Sequence, residues 1–121
     1  MRFILITIDP EVEAAAREGF HPSDRCDVYS SWAKALDAAA GADLMFVDQL
    51  ATLKEAHKIA GYERFAEAKM SHRTAAEVPL VLISPPVGYD LDFVVGWPDF
   101  AIGNIQHPVS AKIFRRASTW V

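Results

Sequence analysis

Leu44-Met45-Phe46-Val47-Asp48 is the stretch that decides how this chain folds. Four apolar residues in a row, with no turn former among them, suit a short strand buried on both faces of a sheet. The carboxylate that closes the run stands where open parallel sheets carry their reactive groups, at the carboxyl end of a strand. What Asp48 can do depends on the groups brought up beside it.

Working outward, four more segments read as strands. Phe3 to Ile8 is aliphatic and β-branched, and Arg25 to Tyr29 is shorter, with Asp27 inside it. Val78 to Ile83 is apolar around an edge-tolerated Pro79 and ends at Ser84, and Phe100 to Ile105 is interrupted by Gly103. Between the strands the period becomes helical. Asp9 is placed to cap a helix whose first residue is Pro10, with Val12, Ala15, Ala16 and Phe20 inward. Gly19 and His21-Pro22-Ser23 end it. Ser30 or Ser31 caps a helix over Trp32 to Ala40, and Gly41 supplies a left-handed terminating residue. Thr52-Leu53-Lys54-Glu55 has the form of a capping box. It predicts a helix from that point with Leu53, Ala56, Ala60 and Phe65 inward, kinked or divided at Gly61. Pro85-Pro86-Val87-Gly88 forbids regular helix. Ser110 caps a final helix carrying Ile113, Phe114, Ala117 and Trp120.

Strands alternating with helices at this spacing predict parallel βαβ units, an α/β chain. Right-handed crossovers then place helices on both faces of a five-stranded parallel sheet. The expected fold is the flavodoxin-like three-layer sandwich with strand order 2-1-3-4-5. The 121 residues suit a single domain spanning 1–121. In that fold the ends of strands one, three, four and five share an edge, which gathers Thr7 to Asp9, Asp48, Ser84 and Gln106-His107.

Composition removes several function classes. With 12 basic against 16 acidic residues and a net charge of −4, no nucleic-acid-binding face is expected. No apolar stretch approaches the roughly 20 residues that cross a bilayer, and Arg2 to Asp9 turns polar too soon for a secretory leader to be expected. A lone Cys26 cannot close an internal disulfide, so a cytoplasmic setting is expected. His21, His57, His72 and His107 match no metal-ligand spacing. Ile8-Asp9-Pro10-Glu11 stands where a glycine-rich phosphate loop would follow strand one, so nucleotide and flavin binding lack support.

Ala42-Asp43-Leu44-Met45-Phe46-Val47-Asp48, Val78-Pro79-Leu80-Val81-Leu82-Ile83-Ser84 and His107-Pro108-Val109-Ser110 together resemble the receiver domain of bacterial two-component response regulators, the CheY-like family. The resemblance spans nearly the whole chain. In that family an aspartate ending strand three accepts a phosphoryl group with the help of magnesium. An acidic pair after strand one holds the metal, a serine or threonine ends strand four, and a lysine precedes a proline after strand five. Carried over, Asp48 matches the phosphoacceptor and Ser84 the switch hydroxyl. Thr7 and Ile8 stand where the metal-binding carboxylates belong, and Asp9 is one place late. His107 takes the position of the lysine, and an imidazole is no substitute for a constant ammonium charge.

The resemblance is therefore to a degenerate, or pseudo-, receiver. Magnesium seeks octahedral oxygen ligation, usually anchored by carboxylates. Without a cation, charge developing on a transferred phosphoryl group is uncompensated. No cofactor is expected on this reading, and Mg2+, held by Asp9 and Asp48, only if the pocket still works. A blander role for Asp48 is to cap the next turn through backbone N–H groups. The resemblance implies a signalling module that acts through protein contacts or self-association. Its surface would be the helix before strand five, strand five and the last helix, with Trp97, Phe100, Arg115 and Arg116 as candidates. Core packing of Trp97 and Phe100 is the competing expectation. Two alternatives stay open: a phospho-accepting receiver with an unusual metal shell, and a small flavodoxin-like ligand-binding domain or enzyme with Asp48 as base.

Overall fold

A computed structural model of the chain describes residues 1–92 and 100–121. β1 (Arg2–Ile6), β2 (Arg25–Tyr29), β3 (Leu44–Asp48), β4 (Leu80–Ser84) and β5 (Gly103–Gln106) form one sheet in the order β2-β1-β3-β4-β5. All four pairings are parallel. Side chains alternate across this sheet and feed two cores. Phe3, Leu5, Phe46, Val81, Ile83 and Ile105 pack with Val12, Ala16, Phe114 and Ala117 of α1 (Pro10–Gly19) and α5 (Ala111–Ala117). On the other face Ile4, Ile6, Met45, Val47 and Leu80 meet Leu36 of α2 (Trp32–Asp37) and Tyr62 and Phe65 of α4 (Ala60–Ser71). This is the flavodoxin-like three-layer arrangement that the alternating pattern predicts.

The caps read from the sequence form as expected. Asp9 accepts from the Glu11 N–H at 2.9 Å, Ser31 from Lys34 at 3.4 Å and Ser110 from Ile113 at 3.2 Å. Several boundaries move, each for a local reason. β1 stops at Ile6 rather than Ile8, because Thr7 Oγ1 accepts from the Asp9 N–H at 3.1 Å and turns the chain. Ile8 is left 66% exposed. α2 ends at Asp37, not Ala40: the Arg2 guanidinium draws the Ala38 and Ala40 carbonyls outward, at 2.7 and 3.0 Å. Gly41 does adopt the left-handed conformation, at φ 79°. β4 begins at Leu80 rather than Val78. β5 begins at Gly103 rather than Phe100, with Phe100 and Ala101 packing instead on the core beneath α4.

The capping box at Thr52 is a correction. A single turn, α3 (Gln49–Thr52), follows β3 directly, and Thr52 lies at its end with Oγ1 donating to the Gln49 carbonyl at 2.6 Å. The long helix starts only at Ala60. Tertiary packing sets that start: a Cβ on Gly61 would fall 2.2 Å from the Thr52 carbonyl oxygen, so the two turns touch only because residue 61 is glycine. Gly103 has a similar explanation. A Cβ there would sit 2.5 Å from the Trp120 ring, so Trp120, expected within the final helix, lies past its end and covers the β5 glycine.

Candidate functional site

β3 carries Asp48 to the carboxyl edge of the sheet, between β1 and β4. The carboxylate is only 1% exposed, and both of its oxygens are engaged. Thr7 Oγ1, just past β1, donates to Oδ2 at 2.9 Å, and His107 Nε2, just past β5, lies 2.9 Å from Oδ1. Against a carboxylate acceptor, Nε2 must carry the proton. Thr7 is itself buried, and its N–H donates to the Tyr29 carbonyl at 3.0 Å. The His107 N–H donates to the Ser84 carbonyl at 3.0 Å, and its peptide bond to Pro108 is cis. Three strand ends are thus tied through one carboxylate. A buried carboxylate is tolerated when hydrogen bonds replace its hydration, and here both oxygens receive them.

The capping role for Asp48 does not hold: its side chain makes no hydrogen bond to the N-terminus of α3. Ser84 shares the edge yet is not joined to Asp48. Its Oγ donates to Asn104 Oδ1 at 2.7 Å. Register explains this, because Asp48 stands opposite Ile83 and Ser84 therefore alternates to the other face. Asp9 is spent as the α1 cap and lines a groove with Thr7, Glu13, Arg17 and Ser30. Among the described residues no group of three or more His, Cys, Asp or Glu side chains is placed to hold a metal ion.

Thr7, at the shared edge in place of a metal-binding carboxylate, becomes in the fold a hydroxyl donor to Asp48. A hydroxyl ending a strand beside a carboxylate-ending strand was the available signal. Of the surface candidates, Phe100 is half-buried, 6.4 Å from Phe65, with Lys69 Nζ 5.8 Å from its ring centroid. Arg115 is exposed, with Nε donating to the Gly19 carbonyl at 3.3 Å, and Arg116 is exposed beside it. Trp97 lies in residues 93–99, outside the described residues. Past α5 the chain exposes Trp120 at 40% and Val121 at 41%, and ahead of β5 it exposes Ile102 at 52%.

Lys69 falls on the inward stripe of α4, i+4 from Phe65 and i+7 from Tyr62, a place that its charge alone argues against. It is 3% exposed and donates from Nζ to the Val78 carbonyl at 2.7 Å, and burial lowers its pKa.

No family model matches the chain, and neither does any curated protein. Among solved structures, the crystal structure of a response regulator receiver domain protein (CheY-like) from Methanospirillum hungatei JF-1 is similar to it, with a TM-score of 0.71. The similarity covers 98% of this chain and 91% of that one at 11% sequence identity. At that identity the likeness establishes the CheY-like receiver fold and nothing finer. Among the described residues no helix is long and apolar enough to cross a membrane.

Proposed function

We propose that this chain is a cytoplasmic signalling interaction module: a receiver-like domain whose phosphoacceptor pocket is degenerate and which transmits through protein–protein contacts. The observation that carries the reading is the state of Asp48, 1% exposed with one oxygen held by Thr7 and the other by His107. A phosphoacceptor must be reachable by the phosphodonor and needs a cation to offset developing charge. In this chain a hydroxyl and an imidazole fill the space around the carboxylate, and Asp9 is occupied at α1. Asp48, Ser84 and His107 then act as ties between strand ends. At most Asp48 receives a phosphoryl group, and no turnover is assigned.

The partner surface on this reading is β5 with α5. Edge strands invite partners, and here Ile102, Trp120 and Val121 are exposed, with Trp120 against Gly103 of β5 and Arg116 one turn before it on α5. Self-association or a protein partner of acidic character suits this face.

Two measurements test the proposal. Exposure to a small acyl phosphate, or to beryllofluoride, with magnesium is expected to leave the intact mass and the amide spectrum unchanged. A stoichiometric, magnesium-dependent adduct that disappears in Asp48→Asn would restore the phospho-accepting receiver and overturn the closed pocket. Sedimentation should then show association that Trp120→Ala or Arg116→Glu weakens while Asp48→Asn does not. Association that follows Asp48→Asn instead, or specific binding of a metabolite at the Asp48 edge, would contradict the assignment.

A further inference from the structure

A second polar region lies at the start of α4 and shares no residue with the Asp48 network. A pocket of about 240 Å3 is lined by Lys54, Glu55, Lys58, Gly61, Arg64 and Asp92, among others. Lys54, Lys58 and Arg64 are exposed, and none of them enters an ion pair among the described residues. Of the two carboxylates, Asp92 is already engaged, its Oδ1 accepting from the Ile59 N–H at 2.8 Å. A chain of net charge −4 therefore gathers three cations without ion-pair partners among the described residues around one small hollow, against the two carboxylates of Glu55 and Asp92, a local excess of positive charge.

The loop bearing Lys54 and Lys58 is held rigidly. His57, between them, has φ 65°, the one positive φ of a non-glycine residue among those described. It is fastened four times to the segment after β4. Its ring stacks on Tyr89 with centroids 4.4 Å apart, and its Nδ1 lies 2.6 Å from the Asp90 carbonyl oxygen. Its N–H donates to Tyr89 Oη at 3.0 Å, and its carbonyl accepts from the Asp92 N–H at 2.8 Å. A left-handed histidine persists only where its surroundings over-determine it, and such residues gather where geometry is used. What this one fixes is the placement of Lys54 and Lys58 on either side of it, on the pocket that Arg64 also lines. Lysine ammonium groups beside an arginine fork form a charge-assisted donor set suited to a phosphate dianion.

We propose that this pocket is a binding site for a small phosphorylated metabolite, with Lys54, Lys58 and Arg64 holding the phosphate monoester. The site is independent of the closed Asp48 pocket and of the β5–α5 surface. Its test is an amide chemical-shift titration of the full chain with inorganic phosphate and with glycerol phosphate, at constant ionic strength in a phosphate-free buffer. Saturable shifts are expected over residues 54–64, with glycerol phosphate bound at least as tightly as phosphate. The Lys58→Ala/Arg64→Ala double variant should bind about tenfold more weakly or worse, and Tyr89→Phe, which frees the His57 amide, roughly threefold more weakly. Both change exposed or peripheral groups, so an unchanged circular dichroism spectrum accompanies either. Shifts that never saturate, that survive the double variant, or that fall equally in Lys112→Ala/Arg116→Ala would overturn the site, since each marks diffuse charge screening.

Discussion

Asp48 and Lys69 are two charged groups removed from water in neighbouring layers, and the fold treats them differently. Asp48 sits at the carboxyl edge of the sheet with both oxygens hydrogen-bonded, to Thr7 and to His107. Lys69, inside α4, has a single carbonyl acceptor and the face of Phe100. The first arrangement fixes geometry, because one carboxylate ties the ends of β1, β3 and β5 together. The second is a staple between α4 and the approach to β4, and burial holds its pKa down. A buried carboxylate with a donor on each oxygen fixes the geometry of the edge, as the proposed reading requires.

Removing the carboxylate should separate the two regions most sharply. Asp48→Ala leaves Thr7 Oγ1 and His107 Nε2 without their acceptor, and a loss of about 2–4 kcal/mol is expected in urea unfolding. A change below about 0.5 kcal/mol would mean that the edge is solvated and the pocket open. Lys69→Met should bring a smaller effect with a pH signature. The folded-state pKa of Lys69 lies below its usual 10.5, so the unfolded chain binds the proton more tightly. The wild type therefore gains stability relative to Lys69→Met as pH rises toward 10.5, and loses it as pH falls through the folded value. Unfolding of both proteins at a series of pH values gives this difference, and a flat difference would place the ammonium in water. Thr7→Val, which keeps shape and removes one donor to Asp48, should cost about 1–2 kcal/mol. The smallest effect concerns Cys26, whose thiol burial pushes up to about 11. Its alkylation should be slow at pH 8 and accelerate toward pH 11, since the thiolate is the reacting form. Fast reaction at pH 8 would show that β2 opens readily.

Much of the scaffold was legible because it follows from local pattern. The continuous apolar runs of the inner strands and the caps at Asp9, Ser31 and Ser110 are encoded within a few residues of where they act. The capping-box reading at Thr52 failed for the opposite reason. Whether that motif starts a helix or ends one depends on α3 closing directly after β3 and on Gly61 admitting the Thr52 carbonyl. The site divided along the same line: the meeting of Asp48 and His107 at one edge follows from strand order, whereas the partner of Ser84 follows from register.

By itself the sequence determined the α/β class, the order of the sheet, and the strand-end position of Asp48 beside a hydroxyl and an imidazole rather than two carboxylates and an ammonium. These are consequences of hydrophobic period and residue identity. Only the tertiary structure decided that Thr7 and His107 both turn inward to one carboxylate, that Ser84 turns away to Asn104, and that three cations converge at the start of α4. Each depends on a hydrogen bond or contact across many residues of chain. Such contacts are set when the layers pack, and no local stretch of sequence carries them.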